Sequence, residues 1–258
     1  MKKIFLVGTL FCIICSAGCG VKNDNGKIQD EMQVLVDIDT SNKSHQEIAV
    51  TENLIEGKSN VEMLSSVENT LSFIPEGWSI AKNNMGELAE VEGDLNKDGI
   101  NDKAIVIQNN AIEDHAQDRD LLIAFGNSDG TYELSIRADK AILLSNEGGT
   151  FGDPFEGISI DRGSILLKFF GGSSEKWYYR FRFRFEDNGW YLIGATEGGL
   201  INVNGNMEDI NEDYNLLTGD YIINELEDGK LVTKKGKMDT KELIDLENFS
   251  LELYEKEY

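Results

Sequence analysis

Trp177-Tyr178-Tyr179-Arg180-Phe181-Arg182-Phe183-Arg184-Phe185-Glu186-Asp187-Asn188-Gly189-Trp190-Tyr191-Leu192-Ile193-Gly194 decides the fold class. Tyr179, Phe181, Phe183 and Phe185 alternate with Tyr178, Arg180, Arg182 and Arg184. A period of two places the two sets on opposite faces of a strand, whereas a helical period would mix them. The aromatic face is therefore a core face. Asp187-Asn188-Gly189 then turns the chain into residues 190–194, a hairpin with an Asn-Gly turn. The other face carries three of the chain's six arginines. Two roles suit Arg180, Arg182 and Arg184: pairing with acids on neighbouring strands, or a cationic strip for an anionic ligand such as a phosphate or acidic glycan.

Working outward, residues 104–108, 121–125, 132–137, 141–144 and 164–170 are short and rich in Ile, Leu, Val or aromatics. Gly126-Asn127-Ser128-Asp129-Gly130 is a turn between two of them. Phe73-Ile74-Pro75-Glu76-Gly77-Trp78-Ser79-Ile80 reads as a first edge strand. Residues 213–217 and 220–226 form a hairpin through Thr218-Gly219, and Glu227-Asp228-Gly229-Lys230 turns into Leu231-Val232-Thr233. Short strands punctuated this regularly predict an all-β domain, an antiparallel meander that is either propeller-like or a sandwich. Residues 241–249 fit helix and strand equally well, and residues 253–258 are expected to fray. Glu147-Gly148-Gly149-Thr150-Phe151-Gly152-Asp153-Pro154-Phe155-Glu156-Gly157 is a glycine-rich loop whose Phe151 and Phe155 are expected to fill the core. If it opens at the same sheet end as Gly171-Gly172-Ser173-Ser174, the two border a shallow binding site.

Ahead of residues 104–107 stands Gly93-Asp94-Leu95-Asn96-Lys97-Asp98-Gly99-Ile100-Asn101-Asp102. Counting Asp94 as position 1, oxygen side chains fall at 1, 3, 5 and 9, glycine at 6, and the Ile100 carbonyl at 7. That is the spacing of a calcium loop. Position 12 is Ile105 and not the bidentate glutamate of an EF-hand, so the helical version is excluded. A solvated Asx-rich turn is the competing reading. These residues resemble the aspartate-rich calcium loops of FG-GAP-type, integrin-propeller-like repeats, in which the loop precedes a strand. Asp94, Asn96, Asp98, Ile100 and Asp102 are the expected ligands of a structural Ca2+.

At the N-terminus, Met1-Lys2-Lys3 is basic and residues 4–15 are apolar, too short a run for a permanent membrane helix. Ser16-Ala17-Gly18-Cys19 resembles the lipobox of bacterial lipoproteins, with Ser16 where Leu is usual. The resemblance implies a signal peptide over 1–18, lipid (diacylglyceryl and palmitate) on Cys19, and an extracytoplasmic face of the bacterial cell envelope. The alternative is an ordinary secretory signal cleaved near Gly18. Cys12 and Cys15 lie inside the signal, so the mature body has no thiol for a disulfide, a zinc site or a nucleophile. Residues 20–72 contain no aromatic residue and no proline, which makes 19–72 a lipid-anchored flexible acidic tether. Residues 73–258 are the β-rich calcium-loop domain.

Residues 93–107, 148–157, 171–177, 181–194 and 213–223 resemble a family of uncharacterised bacterial lipoproteins. That resemblance implies an exported, β-rich protein and supplies no catalytic residue. The only histidines are His45, in the tether, and His115, in a polar stretch, so no triad is assigned. A net charge of -23, two units more negative once Lys2 and Lys3 leave with the signal, repels nucleic acid and favours cations and basic proteins. The expected function is an envelope binding or adhesion module for an unidentified protein or glycan, anchored by its lipid, with no catalysis. The alternatives are an acidic decoy or inhibitor of cationic proteins such as lysozyme-like enzymes, and a carbohydrate-active hydrolase using unmarked carboxylates.

Overall fold

The computed structural model describes residues 70, 72–110 and 116–258. The signal, Cys19, the tether up to residue 69, and His115 lie outside the described residues. Among those described, twelve strands form two antiparallel sheets. The first contains β1 (Trp78–Ile80), β2 (Glu90–Gly93), β3 (Asp102–Asn109), β4 (Arg119–Gly126) and β5 (Tyr132–Ala138). β4 pairs one side of β3, while β1 and β2 follow one another along the other, from Trp78 opposite Asn109 to Gly93 opposite Asp102. The second is a sequential meander of β6 (Phe155–Asp161), β7 (Ser164–Gly172), β8 (Lys176–Glu186), β9 (Gly189–Val203), β10 (Asn206–Asn215), β11 (Asp220–Glu227) and β12 (Lys230–Lys237).

Both faces of β3 and β4 are buried. Ala104, Val106, Leu121 and Ile123 enter the main core, where they join Phe155, Phe169, Phe181, Phe183, Trp190 and Leu192 of the second sheet. Ile105, Ile107 and Leu122, on the opposite face, meet Phe73, Ile74, Trp78 and Ile80. Of the two arrangements compatible with the sequence, the described residues form the layered one. The aromatic face of β8 is core, as its alternation requires: Phe181 and Phe183 are each at most 2% exposed.

Four turns of the meander are two-residue turns with positive φ at both centres: Arg162-Gly163, Asp187-Asn188, Asn204-Gly205 and Asp228-Gly229. Their twist matches that of the strands they join. The β8–β9 turn is therefore centred on Asp187-Asn188, one residue earlier than the Asn-Gly reading. Gly189 opens β9 opposite Glu186, and a Cβ there would come within 2.6 Å of the Tyr191 hydroxyl. The glycine serves a close approach, not the turn.

Three expectations are corrected. The strand expected over residues 190–194 does not stop at Gly194 but runs from Gly189 to Val203, and Asn204-Gly205 returns it into β10. Residues 141–144 form no strand, although Ala141 and Ile142 are buried. The C-terminus does not fray: Leu251–Glu257 is a helix, α1, with Ser250 as N-cap accepting from the Leu253 amide at 3.1 Å. Tyr254, 1% exposed, packs edge-on against Phe181 at 5.0 Å and fixes the helix to the core. Residues 241–249 are neither helix nor a regular strand. They lie along β9, where Leu192 donates to the Ile244 carbonyl and Leu246 donates to that of Trp190.

Candidate functional site

The aspartate-rich loop joins β2 to β3, and its side chains divide into two groups. Asp102 is completely buried. Its Oδ2 accepts the Leu95 amide at 2.7 Å and the Asn96 amide at 3.1 Å, and its Oδ1 accepts the Gly126 amide at 2.9 Å. Asp94, Asn96 and Asp98 curl the loop's outer turn. Asp94 accepts from Lys97 and Gly99, Asn96 from Asp98, and Asp98 from Ile100. Gly99 takes φ +86°, the left-handed conformation its position demands. A carboxylate or carbonyl oxygen has two lone pairs, so the outer three residues each keep acceptor capacity for a hard cation. Their donor chemistry fits calcium. As placed, no three His, Cys, Asp or Glu side chains among the described residues stand close enough to hold a metal ion.

The two glycine-rich loops meet through their backbones. Gly172 donates to the Gly148 carbonyl and Thr150 donates to that of Gly172, each at 3.0 Å. A Cβ on Gly149 would sit 2.8 Å from the Gly172 carbonyl, so the glycines allow the backbones to touch. Asp153 is gripped by both terminal nitrogens of Arg119, whose side chain is 2% exposed. Phe155 fills the core, whereas Phe151 is half exposed against Phe170.

The arginine strip faces away from the core. Arg182 reaches Asp161 at 3.2 Å and the Ser164 hydroxyl at 2.9 Å, Arg184 pairs with Glu186 at 2.6 Å, and Arg180 lies over the Tyr178 ring. Two of the three guanidiniums are engaged by acids of the chain itself.

A third constellation was not anticipated. On the core-side face of the second sheet, Glu197 of β9 stands directly opposite Glu212 of β10, with Tyr179 of β8 at its other side. Side chains so opposed have Cβ atoms about 4.5–5.5 Å apart, and like charges there repel. The Tyr214 hydroxyl donates to Glu212 Oε2, and the Tyr179 hydroxyl donates to Glu255 Oε1 of α1 at 3.2 Å. Burial, reinforced by the charges of Glu212 and Glu255, pushes the Glu197 carboxyl up to about 7. The buried Tyr254 hydroxyl has no hydrogen-bond partner. Burial and then the Glu197 charge raise its phenol. Among the described residues no lysine or arginine pairs with any of the three acids. Lys234, on the same face, is held by Glu225 and Glu227. One signal was available in the sequence: counting seven residues either way from Asn204-Gly205 matches Glu197 with Glu212.

No family model, no curated protein and no solved structure matches the chain.

Proposed function

We propose that this chain is an envelope protein, anchored through lipid on Cys19 at the extracytoplasmic face, whose β body is a calcium-stabilised binding or adhesion module. The second sheet carries the reading. Strands β6–β9 cover the core and β10 reaches its margin through Tyr214, while Met207, Ile222 and Leu231 of β10–β12 are exposed. A rigid sheet with accessible faces suits recognition of a partner better than enclosure of a reaction. The edge strand β12 carries Lys230, Lys234, Lys235 and Lys237, which discourages edge-to-edge aggregation and leaves the faces free for recognition. The Asp94–Asp98 turn, held to the core by Asp102, supports a structural role for calcium.

The test is fractionation of cells expressing the wild type and Cys19→Ala, followed by pull-down from envelope material with and without chelator. Cys19→Ala is expected in the medium or as unprocessed precursor, and wild type is expected to retain a partner in calcium. Equal membrane retention of the mutant, or no partner in either buffer, sinks the reading.

A further inference from the structure

We propose that Glu197, Glu212 and Glu255, flanked by Tyr179, Tyr214 and Tyr254, form a binding site for a primary ammonium group. The inference rests on the binding-module reading and names the chemistry that such a module would recognise.

Three carboxyl groups gather near α1 with no basic side chain among the described residues paired to them, and the charge of Glu197 is disfavoured until a cation arrives. Two of them, Glu197 and Glu212, face one another across adjacent strands, and the third comes down from the helix through Tyr179. Glu197 and Glu212 are partly buried and Glu255 is exposed, and a cation seated between the first two relieves the repulsion of like charges facing across a ladder. Tyr254 is an independent observation. On the helix turn that carries Glu255 and edge-on to Phe181, its hydroxyl is buried without a partner, and a buried hydroxyl is normally satisfied.

The number and type of acceptors select the cation. A primary ammonium carries three N–H donors and no acceptor, so one donor can go to each carboxylate. Glu212 and Glu255 each receive a tyrosine hydroxyl on one oxygen and keep the other. A quaternary ammonium has no N–H to give, and a guanidinium prefers a single carboxylate in a bidentate fork. An ammonium is satisfied by three separate acceptors, each at an N···O distance of about 2.8 Å. Tyr221 and Ile223 of β11 are half exposed on the same face beyond Tyr214 and Glu212. They offer an apolar shelf for an alkyl stem. The ammonium comes from a lysine side chain of a polypeptide or from a free alkylamine.

The test uses the full chain in detergent micelles at about 0.15 M salt, which screens diffuse attraction to the acidic surface. Nα-acetyl-lysine methylamide and spermidine are titrated separately by calorimetry, with tetramethylammonium as control. Saturable one-site binding of at least one primary amine is expected. It should weaken about 10-fold or more in Glu197→Gln and be reduced in Tyr254→Phe. The tighter of the two amines identifies the source. Both variants preserve shape, and unchanged circular dichroism separates lost binding from lost fold. Non-saturable heats, equal binding by tetramethylammonium, or unchanged affinity in Glu197→Gln would each overturn the proposal. Fractionation of Cys19→Ala does not depend on these residues, so failure of the ammonium site and failure of the anchored-module reading are distinguishable.

Discussion

Asp102 Oδ1 accepts the Gly126 amide at 2.9 Å while its Oδ2 accepts the amides of Leu95 and Asn96. One buried carboxylate thereby joins the β2–β3 loop, the start of β3 and the end of β4. The loop also touches this strand end sterically: a Cβ on Gly126 would lie 2.3 Å from the Asn101 carbonyl. Asp102→Ala would strand three amide donors in the interior, a loss of about 3 kcal/mol or more. Asp98 is exposed, so in chelator Asp98→Ala should lose no more than about 1 kcal/mol. Urea unfolding of both variants in chelator checks this. Equal losses would contradict the division of the loop into a buried strut and an outer turn.

Calcium should reverse that order of importance. If the outer turn binds the ion, the thermal midpoint of the wild type rises as calcium passes a dissociation constant on the order of 10⁻⁴ to 10⁻³ M, as for extracellular modules. Asp98→Ala should abolish the rise while folding normally. Magnesium should substitute poorly, because it requires a tighter octahedron. A wild-type midpoint that does not move between chelator and roughly ten millimolar calcium leaves the loop as a turn only.

Glu197 predicts a pH dependence of opposite sign to the usual carboxylate. Its folded value of about 7 lies above its ordinary 4.5, so the folded state holds the extra proton between those values. Its contribution to stability is fully present below about 4.5 and is lost as pH rises through 7. Glu212 and Glu255 face it as charges, and Tyr179, Tyr214 and Tyr254 as hydroxyls. Glu197→Gln should therefore match the wild type at pH 4.5 and exceed it at pH 8 by on the order of 2 kcal/mol, allowing for partial exposure. Denaturant melts at both pH values provide the comparison, without added amine. A variant no more stable than wild type at pH 8 contradicts the repulsion.

Local chemistry made the β class and much of the core legible. The period-two pattern of residues 178–185 fixes its faces without reference to any other strand, and Phe181 and Phe183 are buried accordingly. Asp98 and Gly99 likewise form the turn their spacing specifies. The acid–tyrosine cluster was less legible because its members are brought together only by register and by α1. Glu197 and Tyr179 are neighbours across one ladder, Glu212 across a second, and Glu255 arrives only because Tyr254 docks on Phe181. The helix itself is short and begins where the chain looks fit to fray. Its docking comes from tertiary burial of one tyrosine, which seven residues of intrinsic propensity do not reveal.

The last prediction concerns Arg119 and Asp153. Both terminal nitrogens of the guanidinium bind the two carboxylate oxygens, and Asp153 Oδ1 also accepts the Phe155 amide at 3.0 Å. The pair thus fastens the glycine-rich loop to β4 just before Phe155 enters the core. Arg119 Nε is buried with no partner, so the fork to Asp153 supplies its compensation. A lysine is a point charge and cannot reproduce two parallel bonds. Asp153→Asn is expected to lose roughly 2–4 kcal/mol because it leaves the buried Arg119 uncompensated, and Arg119→Lys somewhat less, since Asp153 is partly exposed. Arg119→Met combined with Asp153→Asn should lose less than the sum of Arg119→Met alone and Asp153→Asn alone, since no unpaired charge remains. A loop freed from β4 should also be cut faster by protease between residues 147 and 157 in both single variants. Additive losses in the double-mutant cycle, with unchanged cleavage in the loop, would show that the ion pair does not hold it.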